Sequence, residues 1–581
     1  YPDIPFAIFF FKGMNFFGYH LRFEDLSRGG LRTVTPKQFE EARQERNSVF
    51  QECYNLAYTQ HFKNKDIPEG GAKGLIFLQP SVRLESEAQV LKMDLKDAAF
   101  SEEEITHRVE KFFQEQREES LYESQRAYVE SLITIVNCAE DGKLKSEFIV
   151  DYWNRPEYIY LGPDENMHDS MILWIAETSK RYGYKPGSTF ISGKPLVGIN
   201  HKAYGVTSLG VNVYMEKALE YLGIDPKIMP FTIKISGGPD GDVAGNQIKN
   251  LFTLYPKTAK LTALIDVSGV IFDPEGLHLE TMNDLFIQGK PIRYYPPEKL
   301  HDGGFLLDKS ARKTEDSYSN KTLLWKKEGQ KLTEEWLSGS EMNHVLKITI
   351  NKTVTDIFIP AGGRPRTLNE SNITDFLDDK GKPTAKAIIE GANLYFSETA
   401  RRFLEEKGCL IFKDSSANKT GVICSSFEVL AGLTLGDDLF VLEKDILVKE
   451  ILERLKMLAA KEADLLLKAH YESGIPMSDL SYEISKKINT LTYELLSYLE
   501  TIDLSQDPNE PLMQCFFNYC LPTLRNKYSK ELLLQIPQIH KKAIIAAHIG
   551  SNVVYDKGLK WSPSIVYILP LLLKEVQKSF I

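Results

Sequence analysis

The stretch from residue 230 to residue 266 restricts the fold of this chain more than any other. It begins with an apolar run, Phe231 to Ser236, which is typical of a strand, and continues into a glycine-rich turn, Gly237 to Gly241. A helical pattern follows, and a second apolar run then ends at Asp266. A strand, a glycine turn, a helix, a strand and an acid in this order are typical of a βαβ unit that binds a dinucleotide. A glycine loop that only caps the helix is the alternative.

The same residues indicate which dinucleotide this unit would bind. Glycine lets the backbone approach a pyrophosphate, whose charge is favoured at the N-terminus of the following helix. An acid at the end of the second strand can bind ribose hydroxyls and repels a 2′-phosphate, which favours NAD over NADP. We therefore predict an NAD site formed by Gly238, Asp240, Gly241, Asp242, Val243 and Asp266.

Two more strand-and-loop units follow this one. Residues 356–365 end in a glycine loop that contains Gly362, and residues 387–393 end in a polar loop that contains Asn393. Ligands bind at the carboxyl ends of the strands in open α/β sheets, so both loops are candidates for cofactor contacts. Asn393 suits the carboxamide or ribose of a nicotinamide. Ordinary connections between a strand and a helix are the alternative for both loops.

The first part of the chain carries two clusters of glycine and cationic residues. Residues 6–11 and 19–23 predict two strands, and we expect the first of them to be buried. Thr35, Pro36 and Gln38 can start a helix, which we predict to end near residue 61. Lys73 then lies within a glycine turn, residues 70–74, and Arg28 within a second turn upstream. A guanidinium is a natural partner of a carboxylate. A solvated lysine and a surface hairpin are the alternatives.

Two further stretches offer candidate site residues. Asp164 follows a Gly-Pro pair and precedes an apolar helical pattern, so it is either a helix N-cap or a catalytic acid. The serines near Ser425 either cap a helix or direct a hydroxyl at a ligand carboxylate. Residues 82–128 are rich in Glu, Lys and Gln, and we predict a solvated helical insertion there. The residues after about 440 predict helices in which we identify no chemistry.

Composition excludes several classes of function. With 581 residues, 43% hydrophobic and 26% charged, the chain is long enough for several globular domains. A net charge of -10 and the absence of a long basic run argue against a nucleic-acid partner. No window reaches the ~18 apolar residues of a membrane span. The six cysteines form no CxxC pair, so we expect that the protein binds no metal and works in a reducing compartment. We expect this compartment to be the cytoplasm, and the mitochondrion is the alternative. The first residue is Tyr1, not methionine, and we expect that an N-terminal part is absent.

Three stretches together resemble one enzyme family. They are Ser27–Arg32, Gly70–Gly74, and Glu390–Asn393 with Lys413–Glu428. In their order and spacing the chain resembles the large, fungal-type NAD-dependent glutamate dehydrogenases of the Glu/Leu/Phe/Val dehydrogenase superfamily. This resemblance implies an α/β fold with two domains. It also implies a homo-oligomer, either a tetramer or a hexamer. The implied units are an N-terminal α/β substrate domain at residues 1–200, a Rossmann-like NAD domain at 201–425, and a helical C-terminal region at 426–581 that packs back on the substrate domain.

The resemblance also implies a reaction and a role for each site residue. The reaction is the oxidative deamination of L-glutamate to 2-oxoglutarate and ammonia, with a hydride passing from Cα to the nicotinamide of NAD. Lys73 would activate the attacking water, and Asp164 would move protons to and from the amino nitrogen. The remaining contacts would come from Arg28 and Ser425 for the side-chain carboxylate, Lys63 for the α-carboxylate, Asn418 within the active site, and Asn393 and Thr207 beside the nicotinamide. A dehydrogenase of another amino acid, such as leucine, and an inactive regulatory or scaffolding paralogue are the alternatives.

Overall fold

Two separate β-sheets organise the chain. The computed structural model describes residues 3–36, 39–80, 82–316 and 319–578. The first sheet has five strands in the order β1-β2-β4-β3-β5. Its strands are β1 (Ala7–Lys12), β2 (Phe16–Arg22), β3 (Leu26–Val34), β4 (Gly70–Leu78) and β5 (Tyr158–Pro163). The three strands β4, β3 and β5 run parallel, and β1 and β2 add to them in antiparallel fashion.

The two glycine-rich stretches that we predicted as turns are strands, β3 and β4, in the middle of this sheet. A Cβ atom on Gly29 would collide with the carbonyl group of Ala72, and one on Gly71 would collide with the backbone of His61. The glycines therefore permit close packing of neighbouring backbones and do not form turns here. The solvated-lysine and surface-hairpin alternatives are also wrong, because Lys73 and Arg28 are buried.

The first strand is present but is not buried. Within the described part of the chain it pairs only with β2, and it lies at the edge of the sheet, where Ile8 is 46% and Phe10 is 58% exposed. The apolar run alone did not distinguish an edge strand from a central one. The second predicted strand is confirmed as part of β2.

Five helices accompany the first sheet. They are α1 (Phe39–Arg46), α2 (Val49–Lys63), α3 (Val82–Asp97), α4 (Glu102–Val136) and α5 (Asp169–Arg181). The single helix that we predicted up to residue 61 is two helices, and Gln38 of its predicted cap lies outside the described residues. The insertion at 82–128 is helical, as predicted. It is not solvated throughout, because Leu121, Gln125 and Tyr128 are buried against the sheet.

The second sheet contains the predicted βαβ unit. Its nine strands follow the order β11-β10-β9-β8-β7-β6-β12-β13-β14, of which β7-β6-β12-β13-β14 are parallel. The strands are β6 (Phe231–Ser236), β7 (Ala259–Asp266), β8 (Gly269–Phe272), β9 (Phe305–Asp316), β10 (Ser319–Glu328), β11 (Lys331–Leu337), β12 (Thr355–Pro360), β13 (Ala385–Ile389) and β14 (Leu410–Phe412). The helices are α6 (His201–Tyr204), α7 (Val206–Tyr221), α8 (Asp242–Leu254), α9 (Leu279–Gln288), α10 (Gly339–Lys352) and α11 (Glu398–Glu406). The antiparallel strands β8 to β11 were not predicted.

Helices form the rest of the chain and contact both sheets. They are α12 (Asp414–Ala417), α13 (Thr420–Ser473), α14 (Met477–Glu500), α15 (Pro511–Tyr519), α16 (Pro522–Lys527), α17 (Ser529–Gln535), α18 (Gln538–Lys557) and α19 (Ile565–Lys578). The helix α13 changes direction at Gly436, where φ is 68°. On α18, His540 Nε2 lies 2.8 Å from the hydroxyl of Tyr160 on β5. The domain boundaries at residues 200 and 425 stay predictions. Over the part of the chain that the structure describes, no helix has the length and apolar character needed to cross a bilayer.

Candidate active site

Lys73 and Asp164 meet above β3 of the first sheet. Lys73 lies on β4, Asp164 follows the end of β5, and β3 runs between them. Lys73 Nζ forms an ion pair with Asp164 Oδ2. A Cβ atom on Gly30 of β3 would lie 3.0 Å from each of these two atoms, so the absence of a side chain there makes room for the pair. The helix α5 begins only at Asp169, after His168, so Asp164 is not its N-cap.

The contact with Lys73 favours the charged form of the Asp164 carboxyl group. Burial acts to raise the pKa of Asp164, but the charge and the hydrogen bond of Lys73 outweigh it and hold this pKa below its usual value. Asp164 Oδ1 also accepts a hydrogen bond of 2.8 Å from the backbone N–H of Glu165. A carboxylate and an amine in contact can exchange a proton with each other and with a reacting group beside them.

Arg28 forms a second feature of the site, a buried cation that is only partly satisfied. Its side chain is 3% exposed, and its guanidinium lies 5.5 Å from the ring centre of Tyr160. Its Nη2 donates to Glu69 Oε1 at 3.4 Å, and Glu69 Oε2 accepts a hydrogen bond of 2.8 Å from Ser426 Oγ. Among the described residues, Arg28 Nε and Nη1 have no hydrogen-bond partner. Buried N–H groups without a partner are costly, and a ligand carboxylate would satisfy them.

Ser425 lies in the first turns of α13, next to Ser426, which contacts the Glu69 partner of Arg28. Its Oγ is 3.3 Å from His201 Nε2 and 3.5 Å from Ser192 Oγ. Burial and the nearby charge of Arg28 lower the pKa of His201 to about 4, so His201 is neutral near pH 7. We did not predict Glu69, Ser192 or His201. Only Glu69 had a signal in the sequence, because it directly precedes the Gly70–Gly74 stretch.

Lys63 links the first sheet to the second. It is the last residue of α2, and its Nζ donates to the side-chain oxygen of Asn393, in the loop after β13. Asn418 Nδ2 donates to the same oxygen at 2.9 Å and to the carbonyl of Gly391 at 3.1 Å. Burial and then the charge of Lys73 lower the pKa of Lys63 to about 8, although Asp414 partly opposes them. The structure therefore brings together three of the predicted site residues, Lys63, Asn393 and Asn418.

The glycine turn after β6 forms a cradle that fits a dinucleotide. Gly237 has φ of 109°, and a Cβ atom on it would lie 3.0 Å from the backbone nitrogen of Gly362. The helix α8 begins at Asp242, and its cap residue Gly241 makes no side-chain cap hydrogen bond. No capping side chain therefore occupies this N-terminus, where a pyrophosphate is favoured. Val243 lies in the first turn of α8, and its Cγ1 would be 2.9 Å from a Cβ atom on Gly391.

Asp266 lies at the edge of this cradle. A Cβ atom on Gly238 would lie 2.8 Å from Asp266 Oδ2. Asp266 Oδ1 accepts a hydrogen bond of 2.7 Å from the N–H of Ser268, and Oδ2 accepts one of 2.8 Å from the N–H of Ile292. Burial raises the pKa of Asp266. Its carboxylate is therefore fixed in orientation at the carboxyl end of β7, where we predicted the ribose contact.

Thr207 lies farther along the chain, in the first turn of α7. Its Oγ1 would be 3.1 Å from a Cβ atom on Gly421 in the first turn of α13. The backbone carbonyl of Thr207 accepts a hydrogen bond of 3.4 Å from Thr420 Oγ1. The starts of α7 and α13 are thus in contact, and Thr207 lies close to the helix that carries Ser425.

A buried cluster of charges lies next to these site residues in the chain. Lys419 Nζ contacts Asp66 Oδ2 at 2.7 Å and also pairs with Glu462, and Lys65 Nζ contacts Glu462 at 3.0 Å. The hydroxyl of Tyr555 donates to Asp66 Oδ1 at 2.7 Å. Asp66 follows Lys63 by three positions and Lys419 directly follows Asn418, so the cluster fixes the two sides of the site relative to each other.

A family model described as Glutamate/Leucine/Phenylalanine/Valine dehydrogenase matches residues 198–471. This segment includes the glycine cradle, Asn393, Asn418 and Ser425. The chain belongs to this dehydrogenase family. The resemblance noted in the sequence is therefore confirmed, and so is the predicted two-domain dehydrogenase fold. Across the described residues, no three His, Cys, Asp or Glu side chains are grouped so that they could hold a metal ion.

Dehydrogenases of this family with curated names match nearly the whole chain. Glutamate dehydrogenase 2 of Dictyostelium discoideum is 32% identical over 590 residues, which cover 99% of this chain and 50% of that protein. The NAD-specific glutamate dehydrogenase of Saccharomyces cerevisiae is 32% identical, with 96% of this chain and 47% of that protein covered. The chain thus spans about half the length of the curated relatives it matches. A solved structure named glutamate dehydrogenase has a TM-score of 0.52 at 16% identity, over 84% of this chain and 87% of that one, which shows a shared fold.

Proposed function

We propose that this dehydrogenase catalyses the NAD-dependent oxidative deamination of L-glutamate to 2-oxoglutarate and ammonia. The observation that carries the proposal is the Lys73–Asp164 ion pair, in a chain whose sheet also presents a partly unpaired buried arginine. A proton-transfer pair, a carboxylate site and a dinucleotide cradle are the three parts that this reaction needs.

The proposed substrate carries two carboxylates, and the site offers two buried cations. Arg28, with the Ser425 hydroxyl beside it, would bind the side-chain carboxylate, and Lys63 would bind the α-carboxylate. A hydrogen bond to a charged group contributes roughly 1.5–3 kcal/mol. An amino acid with an apolar side chain would leave the free N–H groups of Arg28 without a partner, and such sites discriminate strongly against the analogue that lacks the polar group. The buried guanidinium of Arg28 therefore favours glutamate over leucine as the substrate.

The cofactor would lie along the glycine cradle. Gly238, Gly241, Asp242 and Val243 would surround the pyrophosphate, and Asp240 and Asp266 would lie beside the ribose. Gly362, Asn393 and Thr207 would lie toward the nicotinamide. When bound, NAD accepts the hydride that leaves the substrate Cα. The open N-terminus of α8 and the close approach of Gly237 to Gly362 support this placement.

The Lys73–Asp164 pair would carry the proton transfers. Lys73 would pass its proton to Asp164 and then take one from the water that attacks the iminium carbon, while Asp164 would move protons to and from the amino nitrogen. Each group is held by its partner across β3, so neither needs to reorganise before it acts. Lys73 is 6% exposed, so little bulk water competes with the attacking one.

We also propose that the protein forms a homo-oligomer, a tetramer or a hexamer, and acts in the cytoplasm. The edge strand β1 supports assembly, because Ile8 and Phe10 are exposed on a strand whose outer edge is unpaired within the described residues. The six cysteines support a reducing compartment, because all of them are free thiols. Light scattering of the purified protein would measure the assembly.

The formation of NADH, followed by its absorbance, tests the proposed reaction. L-Glutamate and L-leucine are compared at equal concentration with saturating NAD. We expect kcat/KM for glutamate to exceed that for leucine by about a hundredfold or more, because only glutamate pairs with Arg28. A preference for leucine would contradict the carboxylate pocket. If neither amino acid supported the reduction of NAD, the result would favour the alternative that the protein is an inactive paralogue.

A further inference from the structure

The glycine cradle carries a second carboxylate close to Asp266. Asp240 Oδ1 and Asp266 Oδ2 approach the same point, the position that a Cβ atom on Gly238 would occupy, Asp266 to within 2.8 Å and Asp240 more closely. Both carboxylates therefore lie on the side of the cradle where Asp266 ends β7. A ligand that places a negative charge at this side would meet two acids and not one.

The two acids differ in how the protein satisfies them. Asp266 accepts hydrogen bonds from Ser268 and Ile292 and is held in place by the turn after β7. The side chain of Asp240 makes no ion pair or hydrogen bond among the described residues. The nearby cation Lys202 donates at 2.6 Å to the backbone carbonyl of Asp240, not to its carboxylate. Asp240 therefore presents a charge that no interaction in the fold requires.

The charge of Asp240 also affects the pKa of Asp266. After burial, which has the largest effect, the negative charge of Asp240 contributes to raising the pKa of Asp266. Two carboxylates that interact with each other act on the same small volume. This agrees with the geometry around Gly238.

We propose that Asp240 is a specificity-determining residue that, together with Asp266, excludes NADP from the cradle. The proposal rests on the proposed use of NAD. NADP differs from NAD by one phosphate on the adenosine ribose, and an acid at the end of the second strand marks the ribose position. Repulsion between like charges grows as the surroundings become less polar, and both acids lie in a partly buried cradle. In dinucleotide-binding folds that use NADP, an arginine near this position accommodates the 2′-phosphate.

The proposal predicts a gain of binding, which structural damage does not produce. Neutralising Asp240 removes a repulsion and breaks no hydrogen bond of its side chain. We expect Asp240→Asn to bind NADPH about tenfold more tightly than the wild type, with NADH binding changed by less than about threefold. Asp266→Ser removes the other acid, and we expect the double variant to bind NADPH more tightly than either single variant.

Titrations of NADH and NADPH fluorescence on the purified protein measure these affinities without catalysis. Asp445→Asn serves as the matched control, because Asp445 is an exposed aspartate of α13 and its replacement changes the net charge equally. We expect the control to leave both affinities at the wild-type value. Asp240→Ser repeats the test with a smaller side chain, in case the asparagine alters the loop.

Three results would overturn the proposal. One is an NADPH affinity of Asp240→Asn that equals the wild type. Another is an equal gain for NADH and NADPH, which would indicate a general charge effect. The third is a loss of both affinities, which would give Asp240 a supporting role in the cradle. A wild-type protein that binds neither dinucleotide would instead contradict the proposed function, and this outcome is separate from the other three.

Discussion

Gly30 offers the sharpest test of the Lys73–Asp164 pair, because it lies directly beneath the contact. A Cβ atom on Gly30 would be 3.0 Å from Lys73 Nζ and 3.0 Å from Asp164 Oδ2, where ordinary contact begins at 3.4 Å. Gly30→Ala therefore requires these two atoms to move by about half an ångström. A displacement of about 1 Å in a catalytic group can cost about a hundredfold in rate, so we expect about a tenfold fall in kcat. This corresponds to about 1.4 kcal/mol of the activation barrier.

The neighbouring strand supplies a matched control. Gly162 of β5 lies opposite Gly30 in the strand register, and a Cβ atom on it would find its nearest neighbours at 3.8 Å and 3.9 Å. Gly162→Ala makes the same chemical change without displacing the pair, and we expect wild-type kcat. Steady-state NADH formation measures both variants, and NADH fluorescence confirms that the cofactor still binds. Wild-type kcat in Gly30→Ala, or an equal loss in Gly162→Ala, would refute the reasoning.

Three further predictions concern the substrate cations and the buried cluster. The double variant Arg28→Met and Glu69→Gln removes both partners of the ion pair in the pocket, so kcat/KM for glutamate should fall about a hundredfold or more. If kcat/KM for glutamate fell less than kcat/KM for leucine, this result would contradict the carboxylate pocket. The pKa of Lys63 is lowered to about 8, so Lys63 loses its charge as the pH rises through that value. KM for glutamate should therefore rise above this pH in the wild type and stay level in Lys63→Arg. A KM that stays level in the wild type would contradict the role of Lys63 in binding the α-carboxylate. Lys419→Met leaves buried acids uncompensated and should cost about 3–5 kcal/mol in urea unfolding, and a loss below about 1 kcal/mol would show that the cluster is dispensable.

The second sheet could be predicted from the sequence because its signals are local. The strand, glycine turn, helix, strand and acid between residues 230 and 266 follow one another within a single unit, and the structure has β6, α8 and β7 there. The antiparallel strands β8 to β11 were missed, and the last three of them, β9 to β11, differ from the rest of the sheet in composition. They carry many charged residues, such as Lys326 and Glu335, which face each other as an ion pair, and such strands lack the apolar alternation of a half-buried sheet.

The glycine-rich stretches of the first sheet could not be predicted correctly, because their conformation depends on distant neighbours. Gly29 is required by the carbonyl of Ala72, and Gly71 by the backbone of His61. Neither approach is visible in the local sequence, where glycine indicates a turn more often than a strand. The roles of Lys73 and Arg28 were implied by the resemblance to the glutamate dehydrogenases, and they stay predictions. The structure shows that both cations are buried, and a buried cation needs a partner.

The resemblance implied that the C-terminal helices pack back on the substrate domain, but the residues that make the contact were not predictable. We identified no chemistry there, yet His540 of α18 contacts the hydroxyl of Tyr160, whose ring lies against the guanidinium of Arg28. The two residues are 380 positions apart. A contact over that separation depends on the packing of whole helices, and one sequence contains no local signal for it.

The most direct test of the central claim compares wild-type protein with Lys73→Ala. Initial rates of NADH formation from L-glutamate are measured together with NADH binding by fluorescence. Lys73 contacts Asp164 and not the glycine cradle, so we expect turnover to fall by at least about a hundredfold while NADH binding stays at the wild-type value. Wild-type turnover in Lys73→Ala would contradict the proposed role of this lysine and the mechanism built on it.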